Sequence, residues 1–173
     1  KWWKDPEMVD DDRVSEGTAK NWVQHDHPEV KQQAARAVVM DPVSKQTKPL
    51  SDPKVSEWVE SICKSGYDPA LVYKNPDGTI SKSVYDAGEG SNWQKPSDYF
   101  TTGTSIRQVA GEPFGGPFHG DCTDLTNSAV SVLRAAGFHA KGVMGYGNGG
   151  TNQGRVHAWG EVLAAEFKPV PGH

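Results

Sequence analysis

Residues 120–147, GDCTDLTNSAVSVLRAAGFHAKGVMGYG, and residues 155–163, RVHAWGEVL, decide how this chain folds. Asp121 is a good helix N-cap. Behind it Cys122, Leu125, Ala129, Val132, Leu133 and Ala136 recur at helical spacing, which predicts a helix over 121–136 with those residues along one side. Gly137 supplies the stop. Residues 140–147 and 155–163 then read as two strands joined by a flexible loop from Gly147 to Gly154, and 167–171 predicts a third short strand. In the second strand Val156, Ala158 and Val162 share an apolar face, whereas Arg155, His157, Trp159 and Glu161 share the other.

That layout places a thiol at the start of a helix. The first turn of a helix carries free N–H groups and a partial positive charge, which favour a thiolate, and the same N–H groups can stabilise an oxyanion. Read by position alone, Cys122 is equally a buried, inert thiol on the apolar side of its helix, and a strand histidine such as His157 is ordinarily structural. The pair is what points to chemistry: a cysteine at a helix start and a histidine on a nearby strand form a nucleophile and its base.

The motifs go further. Gly120-Asp121-Cys122-Thr123-Asp124 resembles the G-D-C-x-D nucleophile motif of the transglutaminase-like superfamily of cysteine enzymes. Leu133-Arg134-Ala135-Ala136-Gly137-Phe138-His139-Ala140 resembles its helix-to-strand passage, Val143 and Gly145 its V-x-G, and His157-Ala158-Trp159-Gly160-Glu161-Val162 its H-A-W-x-E-V strand. The resemblance spans 120–163. It implies an α+β, papain-related fold in which the nucleophile helix packs on an antiparallel sheet, with Cys122 as nucleophile, His157 as base, and Gly120, Asp121 and Trp159 as walls of the site. It also implies an Asp or Asn on the strand after His157. Residues 167–173, FKPVPGH, contain neither. Glu161 lies about 13 Å along the strand from His157, too far to orient it, and Glu166 comes too early. His173 stands near the right place and is the candidate third member. Two readings follow: the acid lies beyond residue 173, or the domain has lost it.

Outward from this segment the pattern is plainer. Asp26-His27-Pro28 looks like a helix start, and Val30, Ala34, Ala37 and Val38 continue a helical stripe. Residues 41–53 hold three prolines and read as a linker. Asp52 and Pro53 open a further helix in which Val55, Trp58, Val59, Ile62 and Cys63 form one face, ended by Gly66. Residues 71–84 predict a hairpin around Asn75-Pro76-Asp77-Gly78, and 86–120 predicts loops with short elements. The expected organisation is an N-terminal arm and helical extension over 1–50 and a catalytic domain over 51–173, incomplete at its C-terminal end if the acid lies beyond. If residues 1–50 lie across Cys122 as a pro-segment, removing them raises activity.

Composition bounds the rest. The chain has 173 residues, a formal net charge of −4 and a pI of about 5.8. It has no basic patch of the kind nucleic acid needs and no apolar run of roughly 18 residues that would span a membrane. Two cysteines make no disulfide framework. Abundant glycine and proline suit an extracellular or cell-envelope protein. Cys63 is expected in the core. His25-Asp26-His27 reads as a cap rather than a metal site, and Asp10-Asp11-Asp12 as part of a solvated arm rather than a calcium site. His119 reads as a loop residue and His139 has no assigned role. Trp93 and Gln108 precede the nucleophile, and nothing selects either as an oxyanion donor.

The expected chemistry is acyl transfer on an amide, peptide or isopeptide bond, with no cofactor or metal and a protein or peptide as partner. Resolution by water makes the protein a protease, isopeptidase or amidase, the reading favoured by the short chain. Resolution by an amine makes it a crosslinking transglutaminase. The rival from another class is a binding module that keeps the fold without a working triad.

Overall fold

The computed structural model describes residues 23–81, 83–85, 94–102, 108–109, 112–113, 117–146 and 156–163. The acidic run Asp10–Asp12, Trp93, the loop after Gly147, the expected strand 167–171 and His173 lie outside the described residues, as does the side chain of Gln108.

Helix α1 (Pro28–Arg36) begins where sequence predicts. Pro28 occupies its first turn and the His27 ring accepts the Glu29 N–H at 3.2 Å. It ends earlier than its apolar stripe suggests. Ala37 and Val38, expected to continue the helix, instead start strand β1 (Ala37–Met40), which pairs antiparallel with β3 (Ala70–Lys74). The consecutive β-branched Val38 and Val39 suit a sheet, and with Ala37 they are buried there.

The expected linker is structured too. Asp41 accepts N–H groups from Val43 and Ser44, and the chain turns back into β2 (Thr47–Pro49) beside β1. The resulting sheet has the order β2-β1-β3-β4, where β4 is Ile80–Ser81. Pro49 is tolerated because β2 is an edge strand. The N-terminal extension is therefore a helix plus a hairpin, and its sheet takes strands from both sides of residue 50.

Helix α2 (Val55–Lys64) starts later than expected: Lys54, not Asp52, is its N-cap, the Asp52 carboxylate instead accepts the Lys54 N–H at 2.7 Å in the preceding turn, and Gly66 leaves at φ +84°. Its buried residues are Val55 and Ile62. Cys63, expected in the core, is exposed. It lies about 80° round the helix from Val55, at the flank of the apolar stripe rather than within it. The hairpin at Asn75-Pro76-Asp77-Gly78 forms, and the Arg36 side chain ties it to α1 through the Lys74 carbonyl, Asn75 and Ser81.

Between the two halves of the chain, Tyr73, Tyr99, Phe100 and Phe118 pack with ring centroids 5.2–5.9 Å apart. Tyr99 and Phe100 come from α3 (Pro96–Thr101). Two pairs of two-residue strands accompany them. β5 (Val84–Tyr85) runs parallel to β8 (His119–Gly120), and β6 (Gln108–Val109) pairs with β7 (Glu112–Pro113).

Helix α4 (Cys122–Ala135) is the centre of the molecule. It packs on the antiparallel ribbon of β9 (Ala140–Tyr146) and β10 (Val156–Val162), and also on α1 and α3. The expected one-sided apolar stripe is accordingly incomplete as a description, because no residue of α4 is exposed. Thr123, Asp124, Thr126, Ser128 and Ser131 are buried beside Val130 and Val132. Small hydroxyl side chains fit a helix enclosed on several flanks, since they can bond back to its own carbonyls, as Ser131 does to Asn127 at 2.6 Å. The fold is thus mixed α+β with a helix starting at Cys122 packed against strands.

Candidate active site

The turn around Cys122 is built by its neighbours in the motif. Asp121 caps α4 by accepting the N–H groups of Thr123 at 2.8 Å and Asp124 at 3.1 Å. Asp124 answers by accepting the Asp121 N–H at 3.1 Å, closing a capping box. Gly120 makes room for that return contact. A Cβ there would lie 2.6 Å from the Asp124 Cβ and 2.8 Å from its Oδ2. Glycine, cap and carboxylate in Gly120-Asp121-Cys122-Thr123-Asp124 are therefore three parts of one turn, which presents Cys122 half-buried at the first position of the helix.

Asp124 is only 1% exposed. Burial pushes its carboxyl above the ordinary range, and the hydrogen bond from the Gln94 backbone partly offsets this. Gln94, itself buried, donates its backbone N–H to Asp124 Oδ1 at 2.7 Å. Its Nε2 donates to Asp124 Oδ2 at 3.4 Å and to the His119 carbonyl at 2.9 Å. Neither residue had been given a role from sequence. Asp124 had a local signal, the acid three places after an N-cap. Gln94 had none, since 30 residues separate it from Asp124.

The ribbon carries the other motif residues, and its register assigns their faces. His157 pairs with Gly145, Trp159 with Val143 and Gly160 with Gly142. A Cβ on Gly142 would meet Thr126 at 3.3 Å and one on Gly160 would meet Val130 at 3.7 Å, so this face lies against α4. Ala158 shares it and is buried. Alternation turns His157, Trp159 and Glu161 to the opposite face. There the His157 and Trp159 rings stack at 6.5 Å, and Trp159 covers Gly145, where a Cβ would meet its ring at 2.8 Å. Trp159 Nε1 donates to Glu161 at 3.2 Å, and Glu161 pairs with Lys141 at 3.4 Å. The structure thus brings together Gly120, Asp121, Cys122 and Asp124 in the capped turn, and His157 with Trp159 on the ribbon that packs on α4. No hydrogen bond joins Cys122 to His157 among the described residues.

Trp159 also borders a cleft of about 580 Å³ with Val59, Cys63, Leu71, Leu133 and Val162. Among the described residues no cluster of three or more His, Cys, Asp or Glu could hold a metal ion, and no helix is long and apolar enough to cross a membrane. His25 pairs with Asp26 at 3.3 Å while His27 caps α1.

No curated protein and no solved structure matches the chain. A family profile described as Transglutaminase-like superfamily matches residues 114–169, a span that contains the capped turn, α4 and both strands of the ribbon. Residues 114–169 of this chain are therefore a domain of the transglutaminase-like superfamily.

Proposed function

We propose that the protein catalyses cysteine-dependent acyl transfer on amide, peptide or isopeptide bonds, with hydrolysis as the outcome. The observation that carries this reading is the capped turn that sets Cys122 at the start of α4, within a family composed mostly of cysteine enzymes. Cys122 Sγ forms a bond to the substrate carbonyl carbon while His157 takes the thiol proton. The C–N bond then breaks and the amine leaves with that proton. Water attacks the thioester, the C–S bond breaks, and the acid and free thiol are regenerated. An amine in place of water would give a crosslink instead. A peptide crosslink of an extracellular or cell-envelope polymer is the substrate class this reading favours.

Electrostatics explains why a base is needed. The N-terminus of α4 offers roughly half a positive charge, but the Asp121 carboxylate sits beside Cys122 and opposes it. An imidazolium would restore the balance. The second reading is a binding module that keeps this fold without acyl transfer.

Alkylation by iodoacetamide at neutral pH, followed separately at Cys122 and Cys63 by mass spectrometry, tests the choice. The enzyme reading expects Cys122 to react faster than Cys63 and His157→Ala to remove the advantage. It also expects Cys122→Ala to lower turnover of a peptide amide by on the order of 10⁴-fold or more. Equal reaction at Cys122 in wild type and His157→Ala would leave the binding module as the reading.

A further inference from the structure

We propose that Gln94 is a positioning residue for Cys122, locking the strand that leads into the nucleophile turn to the helix that leaves it. The inference rests on the acyl-transfer reading for its functional meaning and on geometry for its content. One side-chain nitrogen of Gln94 bonds both the His119 carbonyl at 2.9 Å, three residues before Cys122, and Asp124 Oδ2 at 3.4 Å, two residues after it. The backbone N–H of Gln94 holds the other oxygen of the same carboxylate at 2.7 Å. Cys122 is therefore enclosed in a ring of contacts, from His119 through Gln94 to Asp124 and back through Asp121.

Two features distinguish this from ordinary packing. Both partners of Nε2 are acceptors, which fixes the orientation of the amide. Its Oε1 is left buried with no hydrogen-bond partner among the described residues. An apolar side chain of the same volume would fill the space, only 6% exposed, without that orphaned acceptor. What the apolar side chain could not do is donate across the turn. The amide nitrogen is also fully engaged by these two acceptors, so Gln94 serves the turn and does not face an oxyanion.

The test compares wild type with Gln94→Met, which keeps volume and removes the donor, and Gln94→Glu. Hydrogen exchange is followed in peptides covering 119–125, and alkylation of Cys122 is normalised to exposed Cys63 in the same sample. We expect Gln94→Met to fold, with exchange in 119–125 faster by about tenfold and the Cys122-to-Cys63 alkylation ratio lower by about fivefold. Exchange in 70–74 and 140–146 should stay at its wild-type rate. Gln94→Glu should match Gln94→Met where both carboxyls are ionised and regain protection of 119–125 as pH falls and the pair takes up a proton that can donate again. Wild-type exchange at 119–125 in Gln94→Met, or loosening spread evenly over the protein, would overturn the proposal. Should wild-type Cys122 prove insensitive to His157→Ala, the acyl-transfer reading falls on that result, and the exchange data still judge Gln94.

Discussion

A methyl group at Gly120 would sit 2.6 Å from Asp124, too close for any side chain to hold without movement. Gly120→Ala must therefore push Asp124 out of the capping box or shift β8, and a loss of about 1–3 kcal/mol in urea-unfolding stability is expected. Asp124 sets a second test. Because burial raises its pKa above the ordinary 3.8, the folded protein binds a proton more readily than the unfolded chain does. Its contribution to stability is thus fully present below the unfolded value and is lost as pH rises through the folded one. Asp124→Asn cannot titrate. Unfolding measured from about pH 4 to pH 7 should show the wild type losing stability relative to Asp124→Asn as pH rises. Asp41, Asp52 and Asp77 act in the opposite sense. Donors on Val43, Lys54 and Thr79 lower their pKa values, so what they contribute is lost as pH falls. A wild-type curve that ran parallel to that of the Asn variant would remove the buried-carboxylate argument.

Among the elements, α4 depends on its cap. Asp121 satisfies two N–H groups of the first turn, so Asp121→Ala should cost about 1 kcal/mol, read as a fall in the unfolding midpoint. This helix was legible in sequence because its signals are local: an acid at one end, Gly137 at φ +91° at the other, and apolar spacing between. The β9–β10 ribbon was legible for the same reason, as was α2. Strands β1 and β2 were not. Val30, Ala34, Ala37 and Val38 fit a helical period, and only β3, more than thirty residues on, pulls the last two into a sheet. Proline at 49 argued against a strand because nothing local reveals that β2 lies at an edge. In the site, the Cys122 turn could be read from its motif. So could the face that His157 takes, from the alternation of its strand; the contribution of Gln94 could not, since its partners are set by tertiary packing.

For the molecule as a whole, residues 23–50 behave as part of the core. Val30 is fully buried, α1 lies against α4, and the Gln24 side chain accepts the Ser97 N–H at 2.9 Å. A chain lacking residues 1–50 would forfeit β1, the strand that joins β2 to β3, and leave one flank of α4 bare. We expect that truncation to abolish the cooperative thermal transition. A folded, more active product would instead establish a pro-segment. The Gln24 N–H also bonds Ser131 Oγ across 107 residues of sequence, at 3.1 Å. On the ribosome, chain grows from the N-terminus at about 5–20 residues per second. The apolar face of α1 is therefore made several seconds before α4, the helix it must cover, leaves the exit tunnel. During that interval the nascent chain carries an unprotected sticky surface, which makes its yield depend on chaperone supply and on the pace of translation.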